Sequence, residues 1–277
     1  MKKLFLFLIC SQPVLAANMT CVHIGDSQSS KTPFSKRLQE NFKNDDVNIF
    51  TYARPSSRAS HWGNAQYSQK YAPTLTKGKF YFHPSKNNND KEQVTLNDSD
   101  RTPWAQTAIN HHNQKSEVDC VIFQLGDNVD SLKGTKSLLA SFEALKNKPQ
   151  KCYWVTPTWS EPERGYKHMN DQKKIEIRRT IEKALAGSNC KIISTTGHGD
   201  KVDYSFKDKL KKAGRYTTDG LHLNTKGGQM WADAAYEQIT RDLYGKDTLK
   251  EALDLCTTTI DSVNSKMGVP HSCPVKK

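Results

Sequence analysis

The chain has 277 residues and a formal net charge of +12, and 35% of its residues are hydrophobic. This length is enough for one large domain with a buried core. After the amino terminus no stretch approaches about 18 apolar residues, and no zinc-finger spacing or RNA-binding aromatic signature occurs, so we expect no membrane span and no nucleic-acid partner. The positive charge suits an acidic polymer such as an anionic glycan, although it serves solubility equally well.

The amino terminus is predicted to be a cleavable secretory signal peptide that covers residues 1–16. Lys2 and Lys3 form its charged start, residues 4–10 form a short apolar run, and small residues precede a cleavage point after Ala16. The apolar run is too short to cross a membrane as a helix. The sequence therefore predicts a secreted or periplasmic protein.

Short apolar strands alternate with amphipathic helices along the rest of the chain. In chain order, strands are predicted at 19–25, 47–53, 120–126, 152–158 and 190–195. Helices are predicted at 35–44, 102–114, 137–147, 170–187 and 226–245. Continuous apolar runs are typical of strands that are covered on both faces. The alternation therefore predicts an α/β protein, a three-layer α/β/α sandwich around a central five-stranded parallel sheet.

Two segments add to this minimal sandwich, which is predicted to occupy residues 17–245. Residues 55–100 form a long polar insertion, within which 79–96 is predicted to be a β-hairpin around an Asn-rich turn. Long polar insertions on compact domains are binding loops or lids, or else mobile decoration. Residues 246–277 are predicted to be a helical extension that ends in a short extended segment.

Six cysteines follow the predicted signal peptide, and an even number in an exported chain favours disulfides. The expected pairs, ranked by proximity and by strand position, are Cys256–Cys273, Cys152–Cys190 and Cys21–Cys120. Because neighbouring parallel strands restrict disulfide geometry, the last two pairs could instead be buried free thiols. No metal site and no cofactor are expected, because the cysteines do not have the sequence spacing of zinc ligands. The adjacent His111 and His112 are predicted to be surface residues, since neighbours on a helix face different directions.

Short motifs place polar residues at the ends of predicted strands. Ser27 lies in Gly-Asp-Ser after the first strand, and Asn128 ends Gly-Asp-Asn after the third. Asp219 and His222 lie just before the last helix. We expect these four residues to meet at one rim, because the carboxyl ends of parallel strands share an edge. There His222 can take the Ser27 hydroxyl proton while Asp219 orients the imidazole. The Asn128 amide and the Ser27 N–H can donate to an oxyanion.

The order and spacing of these motifs resemble those of the SGNH (GDSL-type) hydrolase superfamily over roughly residues 19–240. The matching blocks are Gly25-Asp26-Ser27, Gly126-Asp127-Asn128 and Asp219-Gly220-Leu221-His222. The resemblance implies a flavodoxin-like sandwich with Ser27, Asp219 and His222 as catalytic residues. It also implies hydrolysis of esters, often acetyl esters on carbohydrate.

One block departs from the superfamily pattern, which has a glycine after the second strand. Here that strand is followed by Arg54, Pro55, Ser56 and Ser57, and Pro55 has no N–H to donate. Ser56 or Ser57 could supply the third oxyanion donor from its backbone, and we favour Ser57. Gly63, the nearest glycine, is a further candidate.

Aromatic residues near the expected rim are candidate substrate contacts. Trp62, next to His61 in the insertion, and Trp159, after the fourth strand, could stack on sugar rings or simply pack within loops. His198 lies between glycines without an acid three residues before it, which makes it a poor candidate for the catalytic base. His23 lies inside the first strand and is expected in the core.

The predicted function is that of a secreted serine esterase that removes acyl groups, above all O-acetyl, from a carbohydrate polymer such as peptidoglycan. A lipolytic esterase, lysophospholipase or thioesterase of the same superfamily is an alternative, although the insertion is too hydrophilic to predict an acyl groove. A non-catalytic glycan-binding module is the alternative from another class. The sequence does not indicate an oligomeric state.

Overall fold

The computed structural model describes residues 19–30, 32–65, 81–83, 102–114, 116–128 and 132–244. The predicted signal peptide, most of the insertion 55–100, the extension 246–277 and the predicted pair Cys256–Cys273 lie outside these residues. The strands are β1 (Thr20–Gly25), β2 (Asn48–Ala53), β3 (Tyr81–His83), β4 (Cys120–Gln124), β5 (Lys151–Val155), β6 (Cys190–Ile193), β7 (Gly197–His198) and β8 (Lys201–Val202). The helices are α1 (Pro33–Lys43), α2 (Ala59–Gly63), α3 (Trp104–Asn113), α4 (Leu132–Glu143), α5 (Asp171–Leu185), α6 (Ser205–Lys212) and α7 (Thr225–Tyr244), with a 3₁₀ turn at Pro162–Arg164.

The main sheet has six strands in the order β3-β2-β1-β4-β5-β6. Five of them pair in parallel, and β3 pairs antiparallel with β2 at the edge. The predicted five-stranded parallel sheet is therefore confirmed, and its order, β2-β1-β4-β5-β6, is that of flavodoxin-like folds. The edge strand β3 comes from the first half of the predicted hairpin, and the second half lies outside the described residues.

Side chains alternate along β1 and so build an apolar layer on each face of the sheet. Val22 and Ile24 join the large core cluster that includes residues of α2, α3, α4 and α5. His23, between them, lies on the opposite face, edge-to-face with Phe34 of α1 at a ring separation of 5.9 Å. Phe34 packs in turn against Trp231 of α7. Helices therefore cover both faces, which confirms the predicted α/β/α sandwich.

Several helix boundaries follow from local sequence chemistry. Thr32 accepts a hydrogen bond from the Ser35 N–H at the start of α1, and Pro33 occupies the first helical position, where no N–H is needed. Asn170 caps α5 by accepting from the Lys173 N–H at 3.0 Å. The short helices α2 and α6 were not predicted, because the polar segments that form them lack a long periodic apolar pattern.

Two disulfides cross the sheet between neighbouring strands. Cys21 of β1 faces Cys120 of β4, and Cys152 of β5 faces Cys190 of β6, with Cα separations of 4.5 and 4.4 Å. Two of the predicted pairings are therefore confirmed, and the free-thiol alternative does not apply to them.

The prediction that His112 lies on the surface was wrong. His112 is buried, its Nε2 atom lies 2.8 Å from the Tyr52 hydroxyl, and its ring stacks on Phe50 at 4.2 Å. The helical spacing of Ala105, Ile109 and His112 places all three on the buried face of α3. The prediction considered only that His111 and His112 are adjacent, and it did not use this helical periodicity.

Contacts divide the chain into two units, Met1–Ala235 and Tyr236–Lys277. The first unit contains the sheet, the helices α1 to α6 and the first half of α7. The described part of the second unit consists of the last residues of α7. Among the described helices, none is both long and apolar enough to cross a membrane.

His23 is fully buried, as predicted for a core residue, and its two ring nitrogens lie 3.1 Å from the hydroxyls of Thr51 and Ser29. Burial lowers the pKa of His23 to about 3, because a charged imidazolium would lose its hydration there. In the unfolded chain the pKa returns to about 6.5. The stabilising contribution of neutral His23 is therefore complete above about pH 6.5 and is lost as the pH falls toward the folded-state pKa.

We expect the substitution His23→Gln to remove this pH dependence, because glutamine can still hydrogen-bond both hydroxyls but does not titrate. Between about pH 6.5 and 4, the free energy of unfolding of the wild type should fall relative to the variant by up to roughly 1.4 kcal/mol per pH unit. Urea unfolding at several pH values measures the difference, with the exposed His198→Gln as control. Parallel pH curves for wild type and His23→Gln would contradict this assignment.

Candidate active site

Three of the predicted site residues lie in one hydrogen-bonded row, although Ser27 and His222 are 195 positions apart in the chain. The His222 Nε2 atom is 3.2 Å from Ser27 Oγ, and the His222 Nδ1 atom is 2.7 Å from Asp219 Oδ2. Ser27 follows β1, and the other two residues lie in the loop before α7. All three residues are half-buried.

The Asp219 carboxylate is held by its own loop. Its Oδ1 atom accepts hydrogen bonds from the N–H groups of His222 and Leu221 at 2.8 and 3.0 Å. Burial raises the pKa of Asp219, but the hydrogen bonds from His222 and Leu221 outweigh burial and hold the pKa below its usual value. An ionised Asp219 can accept a hydrogen bond from the Nδ1–H group of His222, and in that tautomer the Nε2 lone pair faces Ser27.

The loop that carries Asp219 and His222 is closed by a bridge between Thr217 and Leu223. At its tip Gly220 has a φ of +100°, in the left-handed region that favours glycine. A Cβ atom at Gly220 would also lie 2.7 Å from the carbonyl oxygen of Glu161. The loop can therefore dock against the segment after β5 only with glycine at this position.

Glu161, which no motif predicted, anchors that same loop. Its N–H donates to the Gly220 carbonyl at 2.9 Å, and its Oε2 atom accepts from the N–H and hydroxyl of Thr217 at 2.9 and 2.5 Å. Burial raises the pKa of Glu161, but the Thr217 hydrogen bonds and the nearby Arg164 guanidinium bring the pKa below its usual value. A charged side chain thus fixes the backbone just before Asp219.

Asp26 ties the loop after β1 to the loop after β4. It is fully buried, and its carboxyl accepts from the N–H groups of Gln28 at 2.9 Å and Gly126 at 3.4 Å. Burial, and then the negative charge of Asp127, raise the pKa of Asp26 to about 7. These bonds join the segments that carry Ser27 and the predicted donor Asn128.

The structure corrects the prediction for the third oxyanion donor. Ser57 is fully buried, and its N–H already donates to the Arg54 carbonyl at 3.2 Å. Its hydroxyl also donates to Arg54 and accepts from the Trp62 indole. Ser56, the alternative, is exposed and has a φ of 61°, so it adopts the left-handed conformation that favours glycine. Asn128 is half-buried after β4, the strand next to β1.

Neither predicted aromatic contact is available to a substrate. Trp62 is fully buried and packs edge-to-face on Trp104 at 5.8 Å. Trp159 is also fully buried, donates its indole N–H to the Thr195 carbonyl, and stacks beneath Tyr204 at 5.0 Å. Both rings are packing residues, which was the open alternative, and the prediction that they bind sugar was wrong.

Tyr166 borders the site, and the other histidines considered for it, His198 and His61, have partners elsewhere. The ring of Tyr166 lies edge-to-face with His222 at 6.0 Å, although no motif marks it. His198 lies in β7 beside Glu182, and its side chain is 60% exposed. His61 is buried, and its Nδ1 atom accepts from the Arg58 N–H. His222 is therefore the histidine that meets Ser27.

No group of three or more His, Cys, Asp or Glu residues in the described part of the chain is arranged to hold a metal ion. The described side chains around Ser27 can perform proton transfer and nucleophilic attack. The Ser27 hydroxyl, with an adjacent imidazole and an ionised carboxylate behind it, is arranged for both.

We expect Glu161→Gln to loosen the loop before Asp219, because an amide replaces the charge that accepts from Thr217 and pairs with Arg164. The free energy of unfolding should fall by about 1–3 kcal/mol, measured by urea unfolding. Glu163→Gln, which changes an exposed neighbour, is the matched control and should cost less than about 0.5 kcal/mol. Equal losses in the two variants would show that Glu161 is not an anchor.

No protein-family model matches the sequence, and no curated protein matches it. Solved structures that resemble it include a protein from Slackia heliotrinireducens described as an SGNH hydrolase, 15% identical over 80% of this chain and 98% of that one, with a TM-score of 0.46. The acetyl xylan esterase AlAXEase is 17% identical over 80% of this chain and 100% of its own, with a TM-score of 0.47. A catalytic mutant of the acetylxylan esterase Axe2 from Geobacillus stearothermophilus is 12% identical over 79% and 92%, with a TM-score of 0.45.

Proposed function

We propose that this protein is a serine esterase of the SGNH type that removes acyl groups, above all O-acetyl, from a carbohydrate polymer. The observation that carries the proposal is the row of Ser27, His222 and Asp219, with contacts of 3.2 and 2.7 Å. A serine hydroxyl becomes a useful nucleophile when a neighbouring base takes its proton. In this proposal His222 is the base and Asp219 is the group that orients it.

The reaction begins when the Ser27 oxygen attacks the ester carbonyl and its proton passes to His222 Nε2. Asp219 stabilises the imidazolium that forms, without taking the proton itself. The tetrahedral intermediate then collapses, the sugar hydroxyl leaves with the proton from His222, and an acyl-Ser27 ester remains. Water, activated by His222 in the same way, releases the carboxylic acid and restores Ser27.

The negative oxygen of the tetrahedral intermediate needs hydrogen-bond donors. We assign this role to the Ser27 N–H, the Asn128 side-chain amide and the Ser56 N–H. Ser56 replaces Ser57 because the Ser57 N–H is bonded to Arg54, and because Ser56 has the conformation expected at the glycine position.

The proposed substrate class rests on charge and compartment. The formal net charge, +12 for the full chain and +10 without Lys2 and Lys3 of the proposed signal peptide, favours association with an anionic polymer such as peptidoglycan. The two disulfides are typical of proteins that fold in an oxidising compartment, which supports the proposed signal peptide at residues 1–16 and a secreted or periplasmic location. We propose the esterase domain at 17–245, with the extension 246–277 as a separate element.

The substitution Ser27→Ala should abolish hydrolysis of p-nitrophenyl acetate, with a loss of at least about 10³-fold in kcat, because it removes the hydroxyl that forms the acyl-enzyme. The same assay with p-nitrophenyl palmitate separates the proposed esterase from a lipolytic enzyme. A preference for palmitate would support the lysophospholipase or thioesterase alternative. Wild-type protein that binds glycan but hydrolyses neither ester would support the non-catalytic module and contradict the proposal.

The substitution Asn128→Ala should lower kcat by about 10²–10³-fold with a small change in KM, because the amide donates to the transition state more strongly than to the substrate. Steady-state kinetics on the short ester measure this effect. Asn189→Ala is the matched control, since Asn189 is exposed and directly precedes β6, at the opposite end of the sheet. Unchanged kcat in Asn128→Ala would remove Asn128 from the proposed oxyanion site.

A further inference from the structure

A buried polar network lies behind the candidate active site and contains residues with no assigned role. Gln28 is only 3% exposed, and it follows Ser27 in the chain. Its Nε2 atom donates to Asp127 Oδ2 at 2.7 Å and to the Leu221 carbonyl at 2.9 Å, and its Oε1 atom accepts from the Leu223 N–H at 3.4 Å. The two backbone groups lie on either side of His222.

The orientation of the Gln28 amide follows from its partners. If the amide were flipped, its oxygen would face the Asp127 carboxylate and the Leu221 carbonyl, and its nitrogen would face the Leu223 N–H. Each of the three contacts would then bring two acceptors or two donors together, so only the present orientation of the amide satisfies all three. Gln28 therefore holds the backbone on both sides of His222.

Asp127 is held in turn by a charge from a distant helix. The Lys174 ammonium group of α5 forms an ion pair with Asp127 Oδ1, and the two side chains are 1% and 4% exposed. An ionised carboxylate this deeply buried needs a compensating charge, and removal of either partner leaves the other uncompensated. The charge of Lys174 thus keeps Asp127 available as an acceptor for Gln28.

We infer that Lys174, Asp127 and Gln28 are positioning residues, which hold the loop around His222 so that its imidazole meets Ser27. This inference rests on the proposed function. The network starts on α5, passes through the loop after β4 that also carries Asn128, and ends beside His222. A displacement of about 1 Å at a reacting group costs about 10²-fold in rate, so a network that fixes one loop against another controls kcat.

The first test is Gln28→Met, which keeps side-chain length and removes all three hydrogen bonds. We expect kcat on p-nitrophenyl acetate to fall by about 10- to 100-fold while KM changes by less than about threefold. Ser27→Ala is measured in parallel. If Ser27→Ala retains activity, the proposed function fails; if Ser27→Ala is inactive and Gln28→Met has wild-type kcat, this inference alone fails.

The second test separates positioning from general stability. Lys174→Met should lower kcat by at least about tenfold, and the double variant Lys174→Met/Asp127→Asn should recover most of the loss, because the introduced amide is neutral and its oxygen still accepts from Gln28. Arg178→Met is the matched control, since Arg178 is one turn along α5, is fully buried and pairs with Glu182 away from the site. It should lower the melting temperature but leave kcat unchanged. A double variant no more active than Lys174→Met, or an equal loss of kcat in Arg178→Met, would overturn the inference.

Discussion

The parallel pairing of β1 with β4 is the constraint on which the candidate site depends. The register places Gly25 beside Gln124, so the loops after both strands leave the sheet at the same edge. Ser27 and Asn128 follow within a few residues of those strand ends. The disulfide between Cys21 and Cys120 joins the same two strands in the same register. A slip of one residue would turn alternate side chains to the wrong face and separate these groups.

Near that edge of the sheet charged side chains are buried, and burying a charge is unfavourable unless an opposite charge or hydrogen bonds compensate it. Glu161 holds the start of the loop that carries Asp219, and Gln28 holds its end beside His222. The buried side chains of Lys174 and Asp127 form an ion pair, so each compensates the charge of the other. The imidazole is thus placed by contacts on both sides of its loop, and rigid support of this kind keeps a catalytic geometry within the narrow limits that proton transfer requires.

The sequence was sufficient to predict the sheet, the layers and the meeting of Ser27 with His222, because strands with apolar runs and short polar motifs at their ends leave local patterns. Trp62 and Trp159 were misassigned for a physical reason: the end of a strand places a residue near the rim, but packing decides whether its ring faces solvent. Lys174 and Glu161 left no local signal, because their roles come from contacts with segments far away in the chain. The conformation of Ser56 was likewise set by the turn after β2 rather than by its residue type.

The central claim is that Ser27 is a nucleophile activated by His222. A fluorophosphonate esterifies an activated serine hydroxyl covalently, and peptide mapping by mass spectrometry locates the modified residue. The full-length protein is expected to acquire a single adduct on the peptide that contains Ser27, and His222→Ala is expected to react far more slowly. An unmodified Ser27, or a rate of modification that is the same in His222→Ala, would contradict the claim.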